Sequence, residues 1–152
     1  TLEARGFTTE EFAFSHPGGA LGKRLLLRVA DIMVEHDEMP SVAPSATVAE
    51  ALYEMTQKGL GMTTIVSERR ELKGVFTDGD LRRVVENKVD LQDCTVTTVM
   101  TESAHTVSQD MLAAEAMGLM ERHRISALVV VDEHGHALGV LTLLALLKAG
   151  IS

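Results

Sequence analysis

One feature constrains this chain more than any other: its second half restates its first. Residues 61–83, GMTTIVSERRELKGVFTDGDLRR, align without a gap on residues 126–148, SALVVVDEHGHALGVLTLLALLK, so Gly74 falls on Gly139 and Thr77 on Thr142 at a constant spacing of 65 residues. EALYEM (50–55) falls on EAMGLM (115–120) at the same spacing. A unit of this size, roughly 60 residues, buries too little surface to be comfortable alone, so the two copies are expected to lean on each other.

Within a unit the periods are legible. Val48, Ala51, Leu52 and Met55 recur at helical spacing behind Thr47, and Thr47 with Glu50 makes a T-x-x-E capping box, which predicts a helix from about 48 to 58. TTIV and LKGVF flank the polar turn SERRE, as ALVVV and ALGVL flank DEHGH, giving two short strands per unit. DLRRVVENK and LLALLKAG close each unit as a short helix. The order is strand, helix, strand, strand, helix, opened by a segment around DIM (31–33) or TVM (98–100), and the class is α+β. Two strands with two helices leave one sheet face bare. Packing the copies face to face covers it and predicts a pseudo-twofold pair with a cleft on either side of the axis. The eight methionines, concentrated on helix faces, read as core or partner-facing surface.

Composition excludes several functions. With 14 basic against 22 acidic residues the chain carries −8, and with no Trp and one Tyr it offers little for bases to stack on, so a nucleic-acid polymer is not an expected partner. No apolar run has the length of a membrane span, and TLEARGFTTEEF has neither the basic nor the apolar region of a secretion signal. A soluble, cytoplasmic protein is expected. Cys94 is alone, which excludes an internal disulfide and reads as a small apolar filler in a reducing compartment. No nucleophile and base stand at plausible spacing, so the chain is not expected to be an enzyme by itself. His134 and His136 lack a third ligand, and Asp78-Gly79-Asp80 lacks the rest of a calcium loop; no metal and no required cofactor is expected.

GVFTDGDLRR (74–83) raises the sharpest question. Thr77 stands three residues before Asp80 where the apolar run ends, which is the spacing of a capping box. The same carboxylate could instead accept both hydroxyls of a ribose, with the Thr77 hydroxyl and helix N-terminal amides available to a phosphate. The two roles can coexist. In the second copy Ala145 stands where the first has Asp80, so one cleft has lost that anchor.

The constant spacing, the h-G-h-h-T-x-x-D ending and the V-x-D-I-M and T-T-V-M segments together resemble a tandem pair of cystathionine β-synthase (CBS) domains, a Bateman module, over residues 29–150. The resemblance implies two β-α-β-β-α repeats, 29–92 and 93–152, packed as a pseudo-twofold pair whose cleft often takes adenosyl or other nucleotides. Carried over residue by residue, it implies a site of Val75, Thr77, Asp80 and Met62 with His105, Ile125, Ser126 and Ala127. Residues 4–33, ARGFTTEEFAFSHPGGALGKRLLLRVADIM, are similar to the junction between the sugar isomerase (SIS) domain and the CBS pair of bacterial D-arabinose 5-phosphate isomerases, with residues 1–28 as the linker. That family interconverts ribulose 5-phosphate and arabinose 5-phosphate on the way to Kdo and lipopolysaccharide. It implies an SIS domain in the same parent chain and a homo-oligomer, a dimer of CBS pairs within a tetramer. His16 would be an acid or base of the full-length enzyme, and CMP-Kdo or an adenine nucleotide the regulatory ligand. The rival reading is a structural oligomerisation module without a ligand.

Overall fold

The structure, a computed structural model, describes residues 26–151. The first unit comprises α1 (Val29–Ile32), β1 (Val34–Glu35), a 3-10 turn (His36–Glu38), β2 (Ser41–Val42), α2 (Val48–Lys58), β3 (Met62–Val66), β4 (Leu72–Thr77) and α3 (Asp78–Glu86). The second repeats the plan with α4 (Val96–Val99), β5 (Thr106–Val107), α5 (Ala113–His123), β6 (Ala127–Val131), β7 (Ala137–Thr142) and α6 (Leu143–Lys148). The strand-helix-strand-strand-helix order is as the periodicity predicts, and each opening segment forms a single helical turn. The capping box that places α2 is formed: the Glu50 N–H donates to Thr47 Oγ1 at 3.1 Å and the Thr47 N–H to Glu50 Oε1 at 2.9 Å.

The sheets do not follow the halves of the sequence. One sheet has the order β2-β3-β4, with β2 parallel and β4 antiparallel to β3. The other has the order β1-β7-β6-β5, so β1, from the first half, is an edge strand of the second unit, with Val34 opposite Val140. The reciprocal exchange is made by Thr101, whose N–H donates to the Val75 carbonyl at 2.8 Å while its own carbonyl accepts from Val75 N–H at 2.9 Å. The opening helices are exchanged in the same way. Val29 N–H donates to the Met111 carbonyl and Val96 N–H to the Ala46 carbonyl, both at 2.8 Å. The exchange requires glycine at two places. A Cβ on Gly74 would stand 2.7 Å from the Thr101 carbonyl oxygen, and one on Gly139 2.4 Å from that of Val34.

Glu71 bridges His136, its own counterpart 65 residues on, which fixes the pseudo-twofold axis between them. Three apolar clusters follow. Met39, Met62, Val66, Val75, Val129, Ala137 and Val140 pack between the two sheets. On the outer faces, Val48, Ala51, Met55, Ile65, Phe76 and Val84 close over Val96 of the other unit. Ala113, Ala116, Met120, Leu128, Leu141 and Leu146 likewise close over Val29. Each outer core thus contains a buried valine lent by the other half.

The β6–β7 turn carries a titratable clasp. Asp132 accepts from the backbone N–H of His134 at 2.8 Å and of His136 at 2.9 Å, and meets His136 Nδ1 at 3.0 Å. The His136 backbone bond, first among these, holds the Asp132 carboxyl below its ordinary value of 3.8. A carboxyl depressed in the folded state contributes stability above its unfolded value and loses it as pH falls through the folded one. Asp132→Asn is therefore expected to shrink the drop in melting temperature between pH 5 and pH 3, as paired thermal melts would read.

Candidate functional site

A cavity of about 680 Å³ opens between the two units on one side of the axis. That is within the usual range of roughly 300 to 1,000 Å³ for small-molecule sites. One wall is built by the first unit: Met62 on β3, Val75 and Thr77 on β4, and Asp78 and Gly79 where α3 begins. The facing wall comes from the second unit: Thr101, Ala104 and His105 from its opening segment, and Arg124, Ile125, Ser126 and Ala127 where α5 turns into β6. His105 stacks on His123 with ring centroids 4.1 Å apart. Seven of the eight residues expected here, Met62, Val75, Thr77, His105, Ile125, Ser126 and Ala127, line this one cavity.

Asp80 is placed differently. It is 1% exposed and stands behind the wall rather than on it. As the third residue of α3 it turns back to accept from Thr77 N–H at 3.0 Å, while its own N–H donates to Thr77 Oγ1 at 3.3 Å, completing the capping box. The Thr101 hydroxyl donates to the same carboxylate, 3.0 and 3.2 Å from its two oxygens, and the exposed Arg83 guanidinium pairs with it as well. Asp80 therefore ties the cap of α3 to the segment received from the other unit. The carboxylate on the wall is that of Asp78, whose Oδ2 lies 3.3 Å from where a Cβ of Gly61 would stand. Thr101, Ala104 and Arg124 are wall residues that sequence reasoning did not single out, and Asp78 entered it only as part of an incomplete calcium loop. The signal for Thr101 was the alignment of DIMV (31–34) on TVMT (98–101).

The mirrored position carries a larger side chain. The Pro40 carbonyl accepts from Thr64 N–H and the His105 carbonyl from Val129 N–H, so Met39 is the counterpart of Ala104. Where Ala104 leaves the cavity open, Met39 is 2% exposed and packed with Val129, Ala137 and Val140. Leu143 and Ala145 stand there in place of Asp78 and Asp80.

His16 lies outside the described residues. His136 is engaged by Asp132, its ring 6.2 Å from that of His134, and no cluster of three or more His, Cys, Asp or Glu among the described residues could hold a metal. No helix among the described residues is long and apolar enough to cross a membrane.

The CBS domain family model matches residues 29–87 and 96–152. The chain belongs to the CBS-domain family. Its exchanged units are the two CBS domains of a tandem pair, as the sequence resemblance implies. Among curated relatives, arabinose 5-phosphate isomerase KdsD of Pseudomonas aeruginosa is 51% identical over 150 residues, covering 99% of this chain and 46% of the relative. KdsD of Escherichia coli K12 is 49% identical over 150 residues, covering 99% of this chain and 45% of the relative. The chain thus spans about half the length of these relatives. Among solved structures, CBSX2 in complex with AMP superposes with a TM-score of 0.72 at 25% identity, covering 82% of this chain and 96% of CBSX2.

Proposed function

We propose that this CBS pair is the regulatory nucleotide-binding module of a cytoplasmic D-arabinose 5-phosphate isomerase. Its SIS domain would lie in the same parent chain, and the assembly would be a homo-oligomer. The chemistry of that isomerase, ribulose 5-phosphate to arabinose 5-phosphate toward Kdo, belongs to the SIS domain, with His16 as an acid or base contributor. The CBS pair itself is non-catalytic. The observation that carries the nucleotide reading is the contrast between the two faces of the axis. One cleft is open and lined by Thr77, Asp78 and Arg124, while at the mirrored position a buried Met39 stands where the open cleft has Ala104. Hydroxyl, carboxylate and guanidinium suit a ligand with a ribose diol and an anionic group. A ribose would meet Asp78 first. It would reach Asp80 only by displacing the Thr101 hydroxyl.

An adenine nucleotide is the ligand supported by the AMP complex of CBSX2. CMP-Kdo, the activated end product of the resembled pathway, is the second candidate, with its ribose toward the same carboxylates. Thermal melts with AMP, ATP and CMP-Kdo test the reading, since a ligand at 100 times its dissociation constant stabilises by about 2.7 kcal/mol. Ala104→Met should repeat in the open cleft what Met39 does in its mirror. It is expected to weaken nucleotide binding at least about tenfold, near 1.4 kcal/mol, while leaving the melting temperature of the free chain within a few degrees. Undiminished binding by Ala104→Met would place the ligand elsewhere. The structural-module reading is favoured by the exposed Leu144 and Leu147 on α6. It predicts a concentration-dependent mass in light scattering with no ligand response.

A further inference from the structure

We infer that Arg124 reads the phosphate of the ligand, making the cleft select phosphorylated over bare nucleosides. This rests on the nucleotide reading above and adds a specificity-determining residue to it. Helices α2 and α5 are the same eleven-residue element in two copies. Both end in a left-handed residue, Gly59 with φ 68° and ψ 24° and Arg124 with φ 55° and ψ 46°. Glycine is the natural occupant of that conformation because a Cβ crowds the carbonyl there, so arginine is the costlier choice at the second helix end.

Arg70, opposite Gly135 in the repeat, also has a positive φ, of 68°, so the conformation alone marks nothing. Arg70, however, sits in the SERRE turn at the axis, where its carbonyl accepts from Ala137 N–H. What distinguishes Arg124 is where its side chain stands. It is the single Arg or Lys among the described residues lining the open cleft. It forms no side-chain hydrogen bond or ion pair with any described residue. A guanidinium presents a planar fork of donors that matches two phosphate oxygens. The facing wall adds the first amides of the nine-residue α3, whose cap is held by Thr77 and Asp80.

Titration calorimetry of the 152-residue chain with AMP and with adenosine tests the inference. The wild-type chain should bind AMP at least about tenfold tighter than adenosine, and added salt should narrow the ratio. Arg124→Gly should bring AMP to within about threefold of adenosine and leave adenosine affinity unchanged. It restores the residue of the paired helix end, so the melting temperature should hold or rise. Arg124→Lys should retain part of the preference. Equal wild-type affinities for the two ligands, or an unchanged ratio in Arg124→Gly, would overturn the inference while leaving nucleotide binding intact. Failure of the wild-type chain to bind either ligand would overturn the nucleotide reading and this inference with it.

Discussion

Gly139→Ala is expected to destabilise the fold by about 3 kcal/mol, the upper part of the range for forcing extra volume into a packed interior. The added methyl would stand 2.4 Å from the Val34 carbonyl oxygen and 3.2 Å from Met33 Sδ. The sulfur belongs to a flexible side chain and can give way. The carbonyl belongs to β1, and moving it breaks the Val34–Val140 pairing that fastens the first half to the second sheet. For a chain of this length a loss of that size lowers the melting temperature by roughly 6 to 12 °C. Gly135→Ala makes a useful comparison: no heavy atom lies within 4 Å of its would-be Cβ, and any penalty there comes from its φ of 83° alone. If calorimetric melts gave the two variants similar losses, the exchanged strand would not be the part that Gly139 protects.

Asp80→Ala is expected to lower stability by about 2 to 3 kcal/mol, combining a lost helix cap with hydrogen bonds to a buried charge. The carboxylate is 1% exposed and accepts from Thr77 N–H, the Thr77 and Thr101 hydroxyls and Arg83 together. Arg83 is 64% exposed and can return to water, so the loss falls on the cap and on Thr101. The effect of this variant on a ligand should therefore pass through the fold. Asp78→Ala, which removes a wall carboxylate that does not close the capping box, should weaken nucleotide binding with little change in the melting temperature. Urea titration for stability and calorimetry for binding, run on both variants, would separate the roles. A stable Asp80→Ala chain with weakened binding would reverse this assignment and put Asp80 in direct contact with the ribose.

The duplicated unit, the α+β class, the helix at 48–58 and the paired strands were legible because period and spacing report local structure directly. Seven cleft residues were legible through the family resemblance. The strand exchange was not legible. DIMV and TVMT are too short to carry a period, and they stand 67 residues apart while the rest of the repeat keeps to 65. Those two extra residues in the first unit shape the turn at His36–Glu38 and precede the buried Met39. Nor does the spacing of Thr77 and Asp80 say which way a carboxylate faces. It predicted the capping box correctly, but whether the same group also looks into the cleft depends on what the other unit brings up behind it, here Thr101. Arg124 gave no signal because an arginine after a helix reads as an ordinary solvated end.

The exchanged opening segments also decide how a pull would travel through the molecule. Arg28 Nη1 donates to the Asp110 carbonyl at 2.6 Å across 82 residues of sequence, and Val29 is sealed into the outer core of the second unit. Tension arriving along the chain from the side of residue 28 therefore lands first on the second unit, bypassing the unit that follows it in sequence. The same second unit supplies His105 and Arg124 to the cleft. A tug on the leading segment is thus felt first by the body that carries one wall of the cleft, not by the unit next to it in sequence.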